Sequence, residues 1–172
     1  MKKTLLIIPF LIATTFASMS TYAANSVNFV GNVYNTACTL TVGNTGSVQM
    51  GNVLTGDFTA AGDTTRDVEF PVTFSGCPNA IPNAQIKFDG SADSVNSNLL
   101  AINTGTGMAK GLGIAIYEKN KTQILPLGTF SSSISLTGGG ATANFVAKYM
   151  ATSSTVSAGG ANATANITVI YP

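Results

Sequence analysis

The 172-residue sequence contains no histidine and no tryptophan, and only 9% of its residues are charged. Each shortage removes a class of function. Without histidine the usual general base near neutral pH is missing, and a zinc site lacks its commonest nitrogen ligand. With 8 basic and 7 acidic side chains, the chain has no basic face of the kind nucleic acid demands. The same balance gives it nothing to dock on an anionic membrane surface. Low aromatic content, 8%, speaks against a sugar groove built from exposed rings. Long apolar runs are also missing, with one exception at the very start.

That exception is "TLLIIPFLIATTFA", preceded by "MKK" and followed by "SMSTYA". A short basic segment, an apolar stretch and small residues before a cut describe a secretory signal peptide. The stretch is too short for a membrane anchor, so no membrane insertion is expected. The signal is assigned to residues 1–23, and the mature chain begins at Ala24. Loss of Lys2 and Lys3 leaves six basic against seven acidic side chains, so the mature chain is nearly neutral.

Export changes how the two cysteines read. An even pair in an oxidising compartment suggests one disulfide, Cys38–Cys77, rather than free thiols or half a metal site. It would close a loop of roughly 40 residues, worth about 3–4 kcal/mol on the chain-entropy model.

What the sequence has in quantity is two-residue alternation. "SVNFVGNVYN" alternates through Val27, Phe29, Gly31 and Val33, and "DVEFPVTFSG" through Val68, Phe70, Val72 and Phe74. Pro71 on the opposite face suggests an edge strand or a bulge. "QIKFDG" supplies Ile86 and Phe88, and "TANFVAKYMA" supplies Phe145, Ala147 and Tyr149. "GLGIAIYEKNKTQILPLG" reads as two strands about the polar turn "EKNK". No stretch of the mature chain keeps a helical period for three turns. Short strands between Gly/Ser/Thr/Asn loops indicate one antiparallel β-sandwich.

Candidate chemistry is thin. Asp67 and Glu69 share a strand face, but the simpler reading is a solvated face opposite Val68 and Phe70. Asp57 and Asp89 sit in turn-like sequence that favours Asp for local hydrogen bonds. The acidic stretch around Asp63 lacks the ligand density of a calcium loop. "GTGMAKG" has neither phosphate-loop spacing nor a following helix. The N-x-[ST] triplets at Asn120, Asn162 and Asn166 carry no weight without a host. No catalytic residue, metal or cofactor is assigned, and no enzyme activity is expected.

The two ends are more informative. "ANATANITVIYP" alternates through Ala163, Ala165, Ile167, Val169 and Tyr171, and the sequence given stops one residue later. An apolar strand there has an edge needing cover. At the front, an alternating segment of some seven residues precedes Gly31 with no core of its own. A spare strand that enters a neighbour's groove gives a head-to-tail contact that does not close, and hence a filament.

Six segments in order resemble the subunits of chaperone–usher fimbriae, the type 1 pilin-like family of Gram-negative bacteria. They are "FVGNVYNTACTL", "VQMGNV", "FPVTFSGCP", "FVAKYMAT", Gly159 and the penultimate Tyr171. The resemblance implies an all-β, incomplete immunoglobulin-like sandwich that lacks its last strand. It implies a donor-strand extension at residues 24–36 and a pilin domain at 37–172. Val27, Phe29, Gly31 and Val33 would be the donor side chains. Gly159, Ile167, Val169 and Tyr171 would form the groove edge and meet the chaperone. Cys38–Cys77 would be the family disulfide. The implied partners are a periplasmic chaperone, an outer-membrane usher and neighbouring subunits. The implied place is an extracellular fimbrium that supports cell adhesion. Two other readings stand beside it: a secreted lectin or adhesin with a closed sandwich, and a periplasmic enzyme.

Overall fold

A computed structural model describes residues 38–172, apart from Asn44 and Lys121. These residues lie in one compact unit, Tyr34–Pro172. The signal, the mature start and the proposed donor side chains Val27, Phe29, Gly31 and Val33 lie outside the described residues.

Eight strands follow one another: β1 (Thr39–Val42), β2 (Val68–Ser75), β3 (Asn83–Asp89), β4 (Leu100–Ala101), β5 (Leu112–Glu118), β6 (Ile134–Ser135), β7 (Ala141–Ala151) and β8 (Asn166–Ile170). The one helical element among the described residues is a 3₁₀ turn, Thr55–Asp57. Two sheets form, of five strands in the order β1-β2-β7-β5-β4 and of three in the order β6-β3-β8. All paired strands are antiparallel. This is the expected incomplete immunoglobulin-like β-sandwich.

The period-2 sequences place one face of each strand in the space between the sheets. On β2 these are Phe70, Val72 and Phe74; on β3, Ala84, Ile86 and Phe88. Three rings tie the layers together. Phe88 of β3 meets Phe145 of β7 edge-on at 5.1 Å, and Phe70 stacks on Phe145 at 5.8 Å between centroids. Such pairs add about 0.5–1.5 kcal/mol to the burial itself. Cys38 and Cys77 are joined, which pins the entry of β1 to the exit of β2.

Two expectations need correction, while Asp67 and Glu69 lie on a solvated face as expected. Pro71 lies in β2, which has β1 on one side and β7 on the other, so it is not on an edge strand. It is tolerated because β1 ends at Val42. Gly43 donates its N–H to the Pro71 carbonyl at 2.9 Å, and no strand partner needs the proton that proline lacks. The segment after "EKNK" is not a strand. It runs beside the edge of β5 that faces away from β7, with Leu125 N–H on the Ile116 carbonyl at 2.7 Å. Leu125 and Leu127 pack on the main core, while Ile124 and Met150 pack on a second small core of Leu99, Ala115, Tyr117 and Val146. β5 is therefore buried on both faces. Asp67 and Glu69 do not act as a pair. Each takes its own lysine, Lys148 at 2.7 Å and Lys119 at 2.9 Å. These exposed pairs are worth little.

The aromatic junction sets a testable scale. Phe145→Ala should cost about 3–5 kcal/mol of subunit stability, read as a drop in the urea midpoint of the strand-complemented subunit. A loss within experimental error would show that the three rings do not hold the sheets together.

Candidate functional site: a groove between two unpaired rims

The sandwich is not closed. A cavity of about 830 Å³ runs along one flank. One wall is formed by Leu40–Val42 and residues 46–52, the other by Ala161–Ala165 and Ile167. Its floor is the core itself, including Phe70, Phe88, Ile116 and Tyr149.

Both walls present main chain without a strand partner among the described residues. Residues 47–53 belong to no strand, turn through Gly51 at φ +74°, and send Val48, Met50 and Val53 against the core. Among the described residues they have no main-chain hydrogen bond. The opposite rim is the C-terminal stretch 161–171, whose burial alternates strictly: odd positions half-buried, even positions exposed. The sequence reading of one inward face from Ala163 to Tyr171 is seen here. The ladder is shorter than the pattern, because only Asn166–Ile170 pairs with β3.

The direction of the free groups follows from β3. Ile86 and Phe88 turn their carbonyls to Ser131 and Gly128, at 2.7 and 2.8 Å. Main-chain groups alternate sides along a strand. Gln85, Lys87 and Asp89 therefore face β8, where they sit opposite Ile170, Thr168 and Asn166. The N–H and C=O of Ile167 and Val169 must then point to the open edge. The residues whose side chains enter the core are also those whose main chain awaits a partner.

The rim is anchored at both ends. Upstream, the buried Tyr149 hydroxyl donates to the Ala161 carbonyl at 2.9 Å, and Asn103 N–H donates to the Asn162 carbonyl at 2.7 Å. Burial holds the Tyr149 phenol above its usual pKa, so it stays a neutral donor. Downstream, the Thr168 hydroxyl donates to Asp89 Oδ2 at 2.7 Å, while Lys87 Nζ reaches Asp89 Oδ1 at 3.1 Å. The Thr168 hydrogen bond, helped by Lys87, holds the Asp89 carboxyl below the ordinary carboxylate range.

Of the four predicted rim residues, Ile167 lines the groove, and Val169 and Tyr171 continue the same inward face beyond it. Gly159 sits elsewhere, ahead of the strand. A Cβ there would overlap the main chain at Met108 and Ala109. Its role in this fold is close approach to the 107–110 loop, which also pairs with Gly160 and Ser157. Sequence reasoning missed the rim at 47–53. The apolar Val48, Met50 and Val53, at irregular spacing, were its only local signal.

Comparison with known proteins decides what such a groove belongs to. The family model described as fimbrial protein matches residues 27–172. The chain belongs to the fimbrial protein family. The fimbrial-like protein SfmA of Escherichia coli K12 is 35% identical over 170 residues, covering 94% of each chain. A type 1 fimbrial subunit of Salmonella typhimurium is 34% identical over 151 residues, covering 85% of this chain and 82% of that one. Among solved structures, a Burkholderia pseudomallei antigen and type I fimbria protein matches with a TM-score of 0.62 and 28% identity, over 77% of this chain and all of that one. The P pilus rod subunit PapA shares the fold, with a TM-score of 0.66 over 80% of this chain and all of that one, at 18% identity. The protein is thus a structural fimbrial subunit, and the groove is a feature of that subunit.

Two predictions belong to the rim. Thr168→Val removes the main cause of the Asp89 shift, so its carboxyl should titrate closer to the ordinary range in a carbon-13 titration. A lowered carboxyl contributes stability above the ordinary value and loses it as pH falls through its folded value. The variant's acid unfolding should accordingly begin at higher pH. An unmoved titration would remove the clamp from the account. Gly159→Ala should sharply reduce the yield of soluble subunit, because main chain rather than a flexible side chain blocks the methyl. Wild-type yield would show that the 107–110 loop gives way.

Proposed function

We propose that this fimbrial subunit polymerises head to tail by donor-strand exchange, with residues 24–36 of one copy completing the groove of the next. One observation carries the reading: a core-floored groove with a free main-chain edge on both sides, at 47–53 and at 161–171. An inserted strand finds hydrogen-bond partners at Ile167 and Val169, and its alternate side chains reach Phe70, Phe88 and Ile116. This is strand addition, in which main-chain bonds give affinity and side-chain seats give specificity. Val27, Phe29, Gly31 and Val33 are the inward-facing donors, with Gly31 allowing close approach at a tight point.

The groove exposes core side chains beside free main-chain groups of Ile167 and Val169 until it is filled, so the subunit needs a surrogate strand before assembly. A periplasmic chaperone supplies it, with Ile167, Val169 and Tyr171 as its contact edge. An outer-membrane usher is where the arm of the next subunit replaces it. Export through the periplasm by the signal at 1–23, cleavage before Ala24, and an extracellular fimbrium supporting adhesion complete the proposal. The subunit's role in it is structural rather than catalytic.

The test compares urea unfolding of two periplasmic forms. One is the mature chain from Ala24. The other carries residues 24–35 after Pro172 on a short flexible linker instead of at the front. Only the second should unfold cooperatively as a monomer. Equal stability of the unmodified monomer would mean a sandwich complete without the arm. In cells, Phe29→Asp should block incorporation while the subunit body still folds, and normal fibres from this variant would remove Phe29 from the donor role.

A further inference from the structure

The groove has a property that its shape alone does not require. No Asp, Glu, Lys or Arg lines it. Residues 24–36, "ANSVNFVGNVYNT", contain none either, and the chain has no histidine. The outer face of the C-terminal rim is also uncharged, with Asn162, Thr164, Asn166 and Thr168 exposed in succession. An arm seated with Val27, Phe29, Gly31 and Val33 inward turns Asn28, Val30 and Asn32 outward. The completed edge then sets amides and a valine beside amides and hydroxyls, a cross-strand pairing that needs no ion.

We infer that the groove takes the uncharged 24–36 segment of a second copy of this chain through a joint whose only ionisable side chains are tyrosines, neutral at these pH values, so that the cohesion of the fibre is indifferent to acidity between pH 5 and pH 7 and to salt. This deepens the donor-strand reading and rests on it.

The charged groups nearest the groove fit that inference. Arg66 lies against Gly51 of the 47–53 rim. Asp57 closes the end of that rim by accepting the Leu54 N–H at 3.0 Å. Lys87 and Asp89 lie one strand behind β8, engaged with each other at 3.1 Å. Lys110 meets the far end of the rim through its carbonyl, which accepts from Ser157. Tyr149 is the only ionisable side chain on the floor, and its hydroxyl is spent on the Ala161 carbonyl. The amino group freed at Ala24 titrates above the window. Histidine is the side chain that ordinarily changes charge within it.

The experiment uses fibres assembled from the full chain in cells and purified. Monomer release in moderate urea is followed by sedimentation at pH 5, 6 and 7, and from about 0.02 M to about 1 M sodium chloride, a span over which exposed charges pass from weakly to strongly screened. Phe29→His fibres run alongside, or Val27→His fibres where the first do not form. The wild-type release rate should stay within about threefold across all conditions, the scale of surface electrostatics at rims. The histidine variant should release about tenfold faster or more at pH 5 than at pH 7, since a buried imidazole must charge. A wild-type rate that changes about tenfold with pH or salt overturns the inference while leaving the strand reading in place. A histidine variant as flat as the wild type shows that the arm does not sit in the groove, and overturns both.

Discussion

Everything in this fold is arranged around a strand position that the described chain leaves empty. β8 has β3 on one side and, among the described residues, no strand on the other. The stretch 47–53 runs along the far side of the gap without a main-chain partner among the described residues. Between them the core is the floor. An exposed apolar strand edge is ordinarily blunted by charge, proline or a bulge. Here Ala163, Ala165, Ile167 and Val169 face inward half-buried, and no lysine or glutamate interrupts them. The edge is kept adhesive, which suits a unit that must accept a strand from outside.

The remainder of the sandwich compensates by being closed wherever it can be. β5 and the middle of β7 are covered on both faces, because Leu99, Tyr117 and Ile124 build a second core on the outside. The disulfide fixes the start of β1 against the end of β2. Phe70, Phe88 and Phe145 then couple the two sheets beside the groove. Two of those three rings also line it. Filling the groove and packing the core are consequently one event: a strand laid over Phe70 and Phe88 desolvates the rings that hold the sheets together. Hydrophobic burial scales with the area removed from water, so this flank is where an added strand gains most.

The sequence showed the strands with clean alternation, and showed them for a physical reason. β2, β3 and the C-terminal rim each have one wet face, so polarity repeats every two residues. β5 and the middle of β7 escaped that rule because both faces are buried, and a doubly buried strand has no polar period to read. The segment after "EKNK" reads as a strand because Ile124, Leu125 and Leu127 are as apolar as strand residues. It pairs with β5 through the Leu125 N–H but does not continue as a ladder. Pro71 looked like an edge marker because a sequence does not reveal where the neighbouring strand stops. Gly159 could be picked out by resemblance, but its reason, the main chain of Met108 and Ala109 at its Cα, is a tertiary fact. The groove itself was legible only as a surplus: an alternating segment at each end and a single core to receive them.

A joint made of one strand and two rims also has kinetic consequences. Releasing a seated arm must break the new ladder and expose the inward side chains together, because neither step alone leaves a satisfied edge. The barrier is then close to the whole interaction, and the joint's lifetime rather than its equilibrium governs the fibre. An uncharged joint suits that regime. Charged pairs mainly speed encounter and set partner choice, and they weaken under salt. Contacts built from buried aliphatic and aromatic groups and main-chain hydrogen bonds act instead on dissociation. On the proposed route, in which a chaperone and an usher deliver the subunit, a fast encounter is of little use, and a structural fibre has every need of slow release.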